Sequence, residues 1–356
     1  MTHQHIKQRA YLGAAFRSDS RAAEALAART GASTTAAASG FVPRPDLNLS
    51  FHGGRTSPSL AYFNFYLGGA VAWADSDVTN IDQALGRAMT DRHLNNVLQQ
   101  YFPDDRVSCT PLGSRILAGQ PPRVFTKADV EGTVAQLFGD GTLLGVGQRV
   151  DLSQTVFNFL LPRGTILFSD EAASSARVGK HRAAHDDAAY RAGAKKASPP
   201  NGELREEEDS LHGLGGYHGS VRVSQPGQPS TFAYYAVGVF SEQLTNHRGN
   251  GIPAFDASWK DVVATFYHEL CETRTNPDVE EVSRTGNDSL LGWYSDPAGE
   301  IGDIPMELAG AQLDLVMKEV PLADGHANVP IQLQWSNAVG APEGPIDSPH
   351  KPLALI

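Results

Sequence analysis

Three short runs of nearly continuous apolar residues constrain this fold most. They are Ser59–Gly69 (SLAYFNFYLGG), Thr155–Leu161 (TVFNFLL) and Thr231–Phe240 (TFAYYAVGVF). Each is aromatic or β-prone. Pro58 and two glycines bound the first, and Pro162 and Gly164 close the second. Such runs read as buried strands. Helical patterns separate them. Asn80–Tyr101 places Ile81, Leu85, Met89, Val97, Leu98 and Tyr101 near one face and stops before Pro103, while Thr126-Lys-Ala-Asp129 is a capping box opening a helix to Phe138. With a short strand at Ser114–Leu117, the order is strand, helix, strand, helix, strand. This predicts a mixed α/β fold, with α+β as the variant, in which helices flank a partly parallel sheet. Gly215–Val223 and Thr231–Phe240, joined through Pro226-Gly227, predict a hairpin-like pair. Further candidates are a helix from Ser258 to Glu272, a helix over Glu307–Glu319 and a strand over Val329–Trp335.

The chain has 356 residues. At roughly 150 residues per domain that is two domains or one large one with insertions. The pattern favours one: a poorly ordered N-terminal extension over 1–46, a single domain over 47–340 and an irregular, Pro-rich tail over 341–356. Residues 170–212 are charged and poor in large apolar side chains, and carry Pro199-Pro200 and the acidic run Glu206–Asp209. They read as a solvated insertion, with a lid over the site as one role open to it. No stretch approaches the ~18 apolar residues of a membrane span. The net charge of −11 argues against a nucleic-acid surface. Only two cysteines occur, Cys109 and Cys271, which excludes a disulfide framework. No signal-peptide apolar region is visible, so the expectation is a cytoplasmic protein, or a mature chain whose export signal was removed. The oligomeric state is left open.

The chemistry concentrates in Tyr267-His-Glu-Leu-Cys-Glu-Thr-Arg-Thr-Asn-Pro277. His268 and Glu272 are four apart, so a helix puts them on one face. Ser258-Trp-Lys-Asp261 reads as its capping box, and Trp259, Val262, Val263, Phe266 and Leu270 form an apolar stripe roughly opposite that face. The expectation is a helix anchored by one side and presenting a metal site at a cleft floor with the other. In the HExxH zinc motif two histidines take this spacing and the intervening Glu is general base. Here Glu272 stands at the second position and Glu269 at that of the base. Glu300 is the expected third ligand, and Asp303 the residue expected to orient the free nitrogen of His268. Calcium held by Glu272, Asn276, Asp296 and Glu300 is the rival set. His218, between glycines in Gly216-Tyr-His-Gly-Ser220, can approach a substrate or a metal, or can simply pack. Gly139–Gly147 lacks the GxGxxG spacing, and neither GxxxxGK[ST] nor GxSxG occurs. Cys271, flanked by acids, is a poor nucleophile.

HELCETRTNP, then GWYSDPAGEIGDIP, then VPIQLQWSN resemble bacterial relatives of the plant EXORDIUM, or phosphate-induced, family. Phe51-His-Gly-Gly54, Gln99-Gln-Tyr101 and Gly215-Gly-Tyr-His-Gly219 extend the resemblance over about residues 48–337. The same central stretch is similar to thermolysin-like gluzincins, with their HELxH helix and downstream Glu and Asp. That resemblance implies His268 and Glu300 as zinc ligands, Glu269 as base and Asp303 as orienter. The chain departs from it at Glu272, which replaces a histidine and weakens the Lewis acid, and in a Glu300–Asp303 spacing one residue shorter.

Together these readings predict a zincin-like, zinc-dependent hydrolase. Zinc polarises a carbonyl or activates water, and Glu269 carries the proton. Tyr267, His218, Trp293 and Tyr294 are candidates for oxyanion or substrate contacts. An amide or peptide substrate follows from the resemblance alone. Two other classes stay open: a non-catalytic binding protein with a structural or relic metal site, and a tailoring metalloenzyme acting on a small molecule or peptide intermediate.

Overall fold

The structure, a computed structural model, describes residues 38, 40–146, 150–169, 209–224, 227, 229–243 and 249–354. The three apolar runs are strands, and their lack of polar alternation has a direct cause: helices cover both faces of the sheet. The strands are β1 (Ser59–Tyr66), β2 (Ser108–Ile116), β3 (Thr155–Leu160), β4 (Gly216–Val223) and β5 (Thr231–Gly238). They form one sheet in the order β2-β1-β3-β5-β4. The first four in that order are parallel; β4 runs antiparallel along the edge, paired with β5. The fold is mixed α/β, as expected.

Alternation along the strands splits the core in two. Phe63, Phe65, Phe157, Phe159, Tyr235 and Val237 pack with Val130, Val134 and Phe138 of helix α3 (Lys127–Gly139). Its Thr126–Asp129 capping box is present. On the opposite face Tyr62, Tyr66, Val156, Leu160 and Ala236 pack with helices α1 (Asp75–Thr90), α2 (Arg92–Leu98) and α4 (Ser258–Thr275). That face also carries a polar ladder: Asn158 donates to Asn64 (2.9 Å), which donates to Asp82 of α1 (2.8 Å).

Several boundaries differ from the sequence reading. The helix expected over 80–101 is two, because Asp91 leaves helical geometry and its Oδ1 caps α2 by accepting from His93 N (2.9 Å) and Leu94 N (3.0 Å). α4 starts after Ala257, not after a Ser258 cap; Asp261 instead accepts from the backbone of Ala254 and Phe255. The helix expected over 307–319 lies earlier, as α5 (Asp303–Ala309), because Gly310 ends it. The chain then runs through β6 (Met317–Pro321) and β7 (Asn328–Gln332). The single strand expected over 329–335 is interrupted at Leu333, whose N–H donates to Val316, before β8 (Gln334–Ser336) pairs with β9 (Ala341–Glu343). Residues at both ends of the expected domain are held: Ala38 and Arg44 bond to Pro342 and Gly340, and Leu353 to Gln100. The expected insertion lies largely outside the described residues. Its described end, 209–212, is not solvated as expected: Asp209 and Ser210 are buried, and Asp209 forms an antiparallel bridge with Phe168. Among the described residues, no helix is long and apolar enough to cross a membrane.

Candidate metal centre

α4 is buried on every side from Asp261 to Thr275, between the sheet and β7. The expected open cleft floor is therefore corrected to an enclosed site. His218 faces α4 because it pairs across the sheet with Ala236, on the same face. Gly216, two residues earlier, lets the helix come close: a Cβ there would sit 3.0 Å from Thr265 Cγ2 and 3.3 Å from Glu269 Oε1. The segment carrying Glu300 and Asp303 is pinned from the other side, where Trp335 N–H donates to Ile301 O (2.9 Å). These three approaches bring His218, His268, Glu269, Glu272, Glu300 and Asp303 together, none more than 5% exposed.

Each imidazole has two distinct sides. Gln332 Nε2 donates to Gly302 O (2.6 Å), which turns its Oε1 toward His268 Nδ1 (2.8 Å). Nδ1 is therefore the donor. Nε2 looks at Glu272 Oε1 (3.1 Å) and Asp303 Oδ1 (3.8 Å). His218 Nε2 faces Asn276 O (3.4 Å) and Glu300 Oε1 (3.7 Å), while Nδ1 faces Glu269 Oε2 (3.4 Å) and Glu272 Oε2 (3.5 Å). Asn276 ties the assembly together: it donates to Glu300 Oε1 (2.9 Å) and accepts from Gly292 N–H (2.9 Å). Glu269 Oε1 and both Asp303 oxygens are buried with no hydrogen-bond partner.

The electrostatics follow from this crowding. Burial pushes Glu300 up to about 8, and burial raises Glu269 as well. Asp303 is raised by burial and then by the charges of Glu272, Glu300 and Glu269. Burial opposes charge on both histidines, yet the carboxylates outweigh it. Glu272 and Glu269 lift His268 to about 9, and Glu300 with its neighbours lifts His218. Glu272, resisted by burial but flanked by both imidazoles, is held down at about 2. Among the described residues no lysine or arginine pairs with these four acids; their ion-pair partners are the two histidines. Two imidazoles against four buried carboxyl groups leave the cluster short of positive charge, which is costly in the interior, so the arrangement suits a metal ion.

Two groups of side chains have ligand atoms close enough to share a metal: His268, Glu272 and Asp303, and His218, Glu269 and Glu272. This differs from the expected set. Asp303 stands beside Glu272 at His268 Nε2, and Gln332, not Asp303, orients the other nitrogen. Glu300 belongs to neither group and faces His218 and Asn276. The calcium set loses Asp296, whose side chain is 83% exposed and turned to His52. Tyr267 lies in the apolar core beside Cys271, away from the cluster, because its position falls on the opposite side of α4. Trp293 is a core residue that donates to Tyr101 O (2.8 Å) and packs on Tyr101 and Phe51. Tyr294 packs with Val279, Val282 and Leu291. Burial pushes the Cys271 thiol up to about 12, which removes it as a nucleophile. The sequence reading missed Gln332 and Gly302 as parts of the site, although both lie in the stretches that carried the family resemblance. Compared with protein-family models, with curated proteins and with solved structures, the chain matches none.

Proposed function

We propose that this protein is a metal-dependent hydrolase acting on an amide or peptide bond, with its cation held by His268, Glu272 and Asp303. The observation that carries the proposal is the side of His268 left free. Gln332 accepts from Nδ1, so Nε2 is the nitrogen turned toward two carboxylates, one of them without any hydrogen bond, and it becomes a ligand when an incoming cation displaces its proton. A neutral imidazole and carboxylates converging on one point are a donor set for zinc. Zinc held there supplies Lewis acidity toward a carbonyl.

The remaining roles belong to the chain. Glu269 keeps one oxygen, Oε1, unpartnered, and burial raises its pKa, so it is the carboxylate placed to take a proton and return it to a leaving group. His218 holds the other oxygen of Glu269, and Glu300 with Asn276 holds His218. The test compares wild type with Glu269→Gln on a panel of peptides and small amides. Hydrolysis is expected to fall by about 10²–10⁴-fold while the cation beside His268 is retained. Preference for small amides over peptides would mark a tailoring enzyme.

The burial of all six side chains favours one second reading, a binding protein whose metal is structural. It predicts no turnover of either substrate class and ligand binding indifferent to Glu269→Gln.

A further inference from the structure

We infer that the site holds two divalent cations, bridged by Glu272. This deepens the hydrolase reading and rests on it for the first cation. The two oxygens of Glu272 address different histidines: Oε1 lies 3.1 Å from His268 Nε2, and Oε2 lies 3.5 Å from His218 Nδ1. Glu272 is the member shared by both candidate ligand groups. A carboxylate placed this way binds one cation through each oxygen.

The two halves are built alike. At His268, one ring nitrogen is taken by Gln332 Oε1, and the other faces Glu272 and Asp303. At His218, Nε2 faces the Asn276 carbonyl and Glu300, and Nδ1 faces Glu269 Oε2 and Glu272 Oε2. An outer acceptor that pins one imidazole nitrogen and aims the other is the usual support of a metal-bound histidine. Here that support occurs twice, on β4 and on α4. Glu269 would bind the second cation through Oε2, leaving Oε1 for the proton.

Charge favours two cations over one. Glu269, Glu272, Glu300 and Asp303 carry four negative charges when ionised. One dication leaves two of them uncompensated in the interior, and two dications balance the set. The ligand atoms are two imidazoles and three carboxylates, with Glu300 held outside them against His218 Nε2 and Asn276; mixed histidine and carboxylate sets of this kind hold paired metal ions in helical bundles. Co-catalytic pairs hold their ions about 3.5–4 Å apart, close enough for magnetic exchange between them.

The experiment titrates metal-free full-length protein with Mn²⁺, counting bound ions by equilibrium dialysis and recording the electron paramagnetic resonance spectrum. Two Mn²⁺ per chain with an exchange-coupled spectrum are expected. His218→Ala should keep one, with the six-line signal of an isolated ion, and that retained ion shows the variant is folded. If His218→Ala does not fold, the wild-type count and spectrum decide. One ion per chain with an uncoupled signal overturns the second cation and leaves the first site standing. Two uncoupled ions overturn the bridge. No bound Mn²⁺, with no Zn²⁺ bound in a parallel dialysis, overturns both this inference and the hydrolase reading.

Discussion

Replacing Gly302 by alanine tests how closely the metal centre is fitted. A Cβ at that position would lie 2.6 Å from His268 Cε1 and 2.9 Å from Cγ, against the ring's Nδ1 edge. Ordinary contact between such atoms begins at about 3.5 Å, so the ring or the segment must move by about 1 Å. The ring is held by Gln332 and enclosed by α4 and β7, and it cannot turn away without losing its hydrogen bond. Overpacking of this kind costs about 1–3 kcal/mol, and the lost bond adds about 1 kcal/mol. We therefore expect Gly302→Ala to lower metal-free stability by about 2–4 kcal/mol. Zinc affinity should fall at least as far as with loss of an outer-shell partner, about 10–100-fold. Urea unfolding of the metal-free protein gives the first quantity, and competition with a chromophoric chelator the second. Gly132→Ala, in α3 with nothing within 4 Å of its Cβ, is the control and should stabilise by roughly 0.5–1 kcal/mol. Unchanged zinc affinity in Gly302→Ala would refute the claim that His268 is held in position for a metal.

Gln332→Leu removes the acceptor that sets the His268 tautomer without removing a ligand, and should weaken zinc by about 10–100-fold; chelator competition at fixed pH measures it. Cation uptake should release protons, because burial holds Glu300 at about 8 and, against burial, Glu272 and Glu269 hold His268 at about 9. Affinity should then rise from pH 6 to pH 9, and calorimetry in buffers of different ionisation enthalpy should count the protons released. A pH-independent affinity would contradict this. Far from the cluster, burial pushes Asp261 up to about 7 from an ordinary 3.8. An acid raised in the folded state favours folding while protonated, so its contribution is full below about pH 4 and lost as pH rises through about 7. Asp261→Asn keeps an oxygen for the Ala254 and Phe255 N–H groups and should be more stable than wild type at pH 8, by a few kcal/mol at about 1.4 kcal/mol per pH unit. Urea melts at pH 5 and pH 8 check the sign.

Local pattern made the sheet and its helices legible. SLAYFNFYLGG and TVFNFLL have no polar alternation because both of their faces are covered, and the Thr126–Asp129 box opens α3 where the spacing places it. Pattern failed where a single side chain redirects the backbone, as Asp91 does between α1 and α2. In the site, the i,i+4 spacing brought His268 and Glu272 together, but spacing says nothing of which distant residues meet them. Asp303 and Glu300 exchange their expected places because Trp335 and Gln332 fix the backbone of 301–302, a contact between segments about thirty residues apart. Tyr267, Trp293 and Tyr294 were attractive as aromatic neighbours in sequence. Each faces the core instead, where a large ring gains most from burial.

The central claim is that His268 and Glu272 hold a metal. Elemental mass spectrometry of protein purified without chelator or nickel, beside a His268→Ala, Glu272→Ala variant, tests it most directly. At least one zinc per chain is expected in the wild type and none beside position 268 in the variant, whose circular dichroism should match the wild type. A wild type that remains metal-free even after zinc is offered would contradict it, and would leave six buried side chains that balance their charge with protons alone.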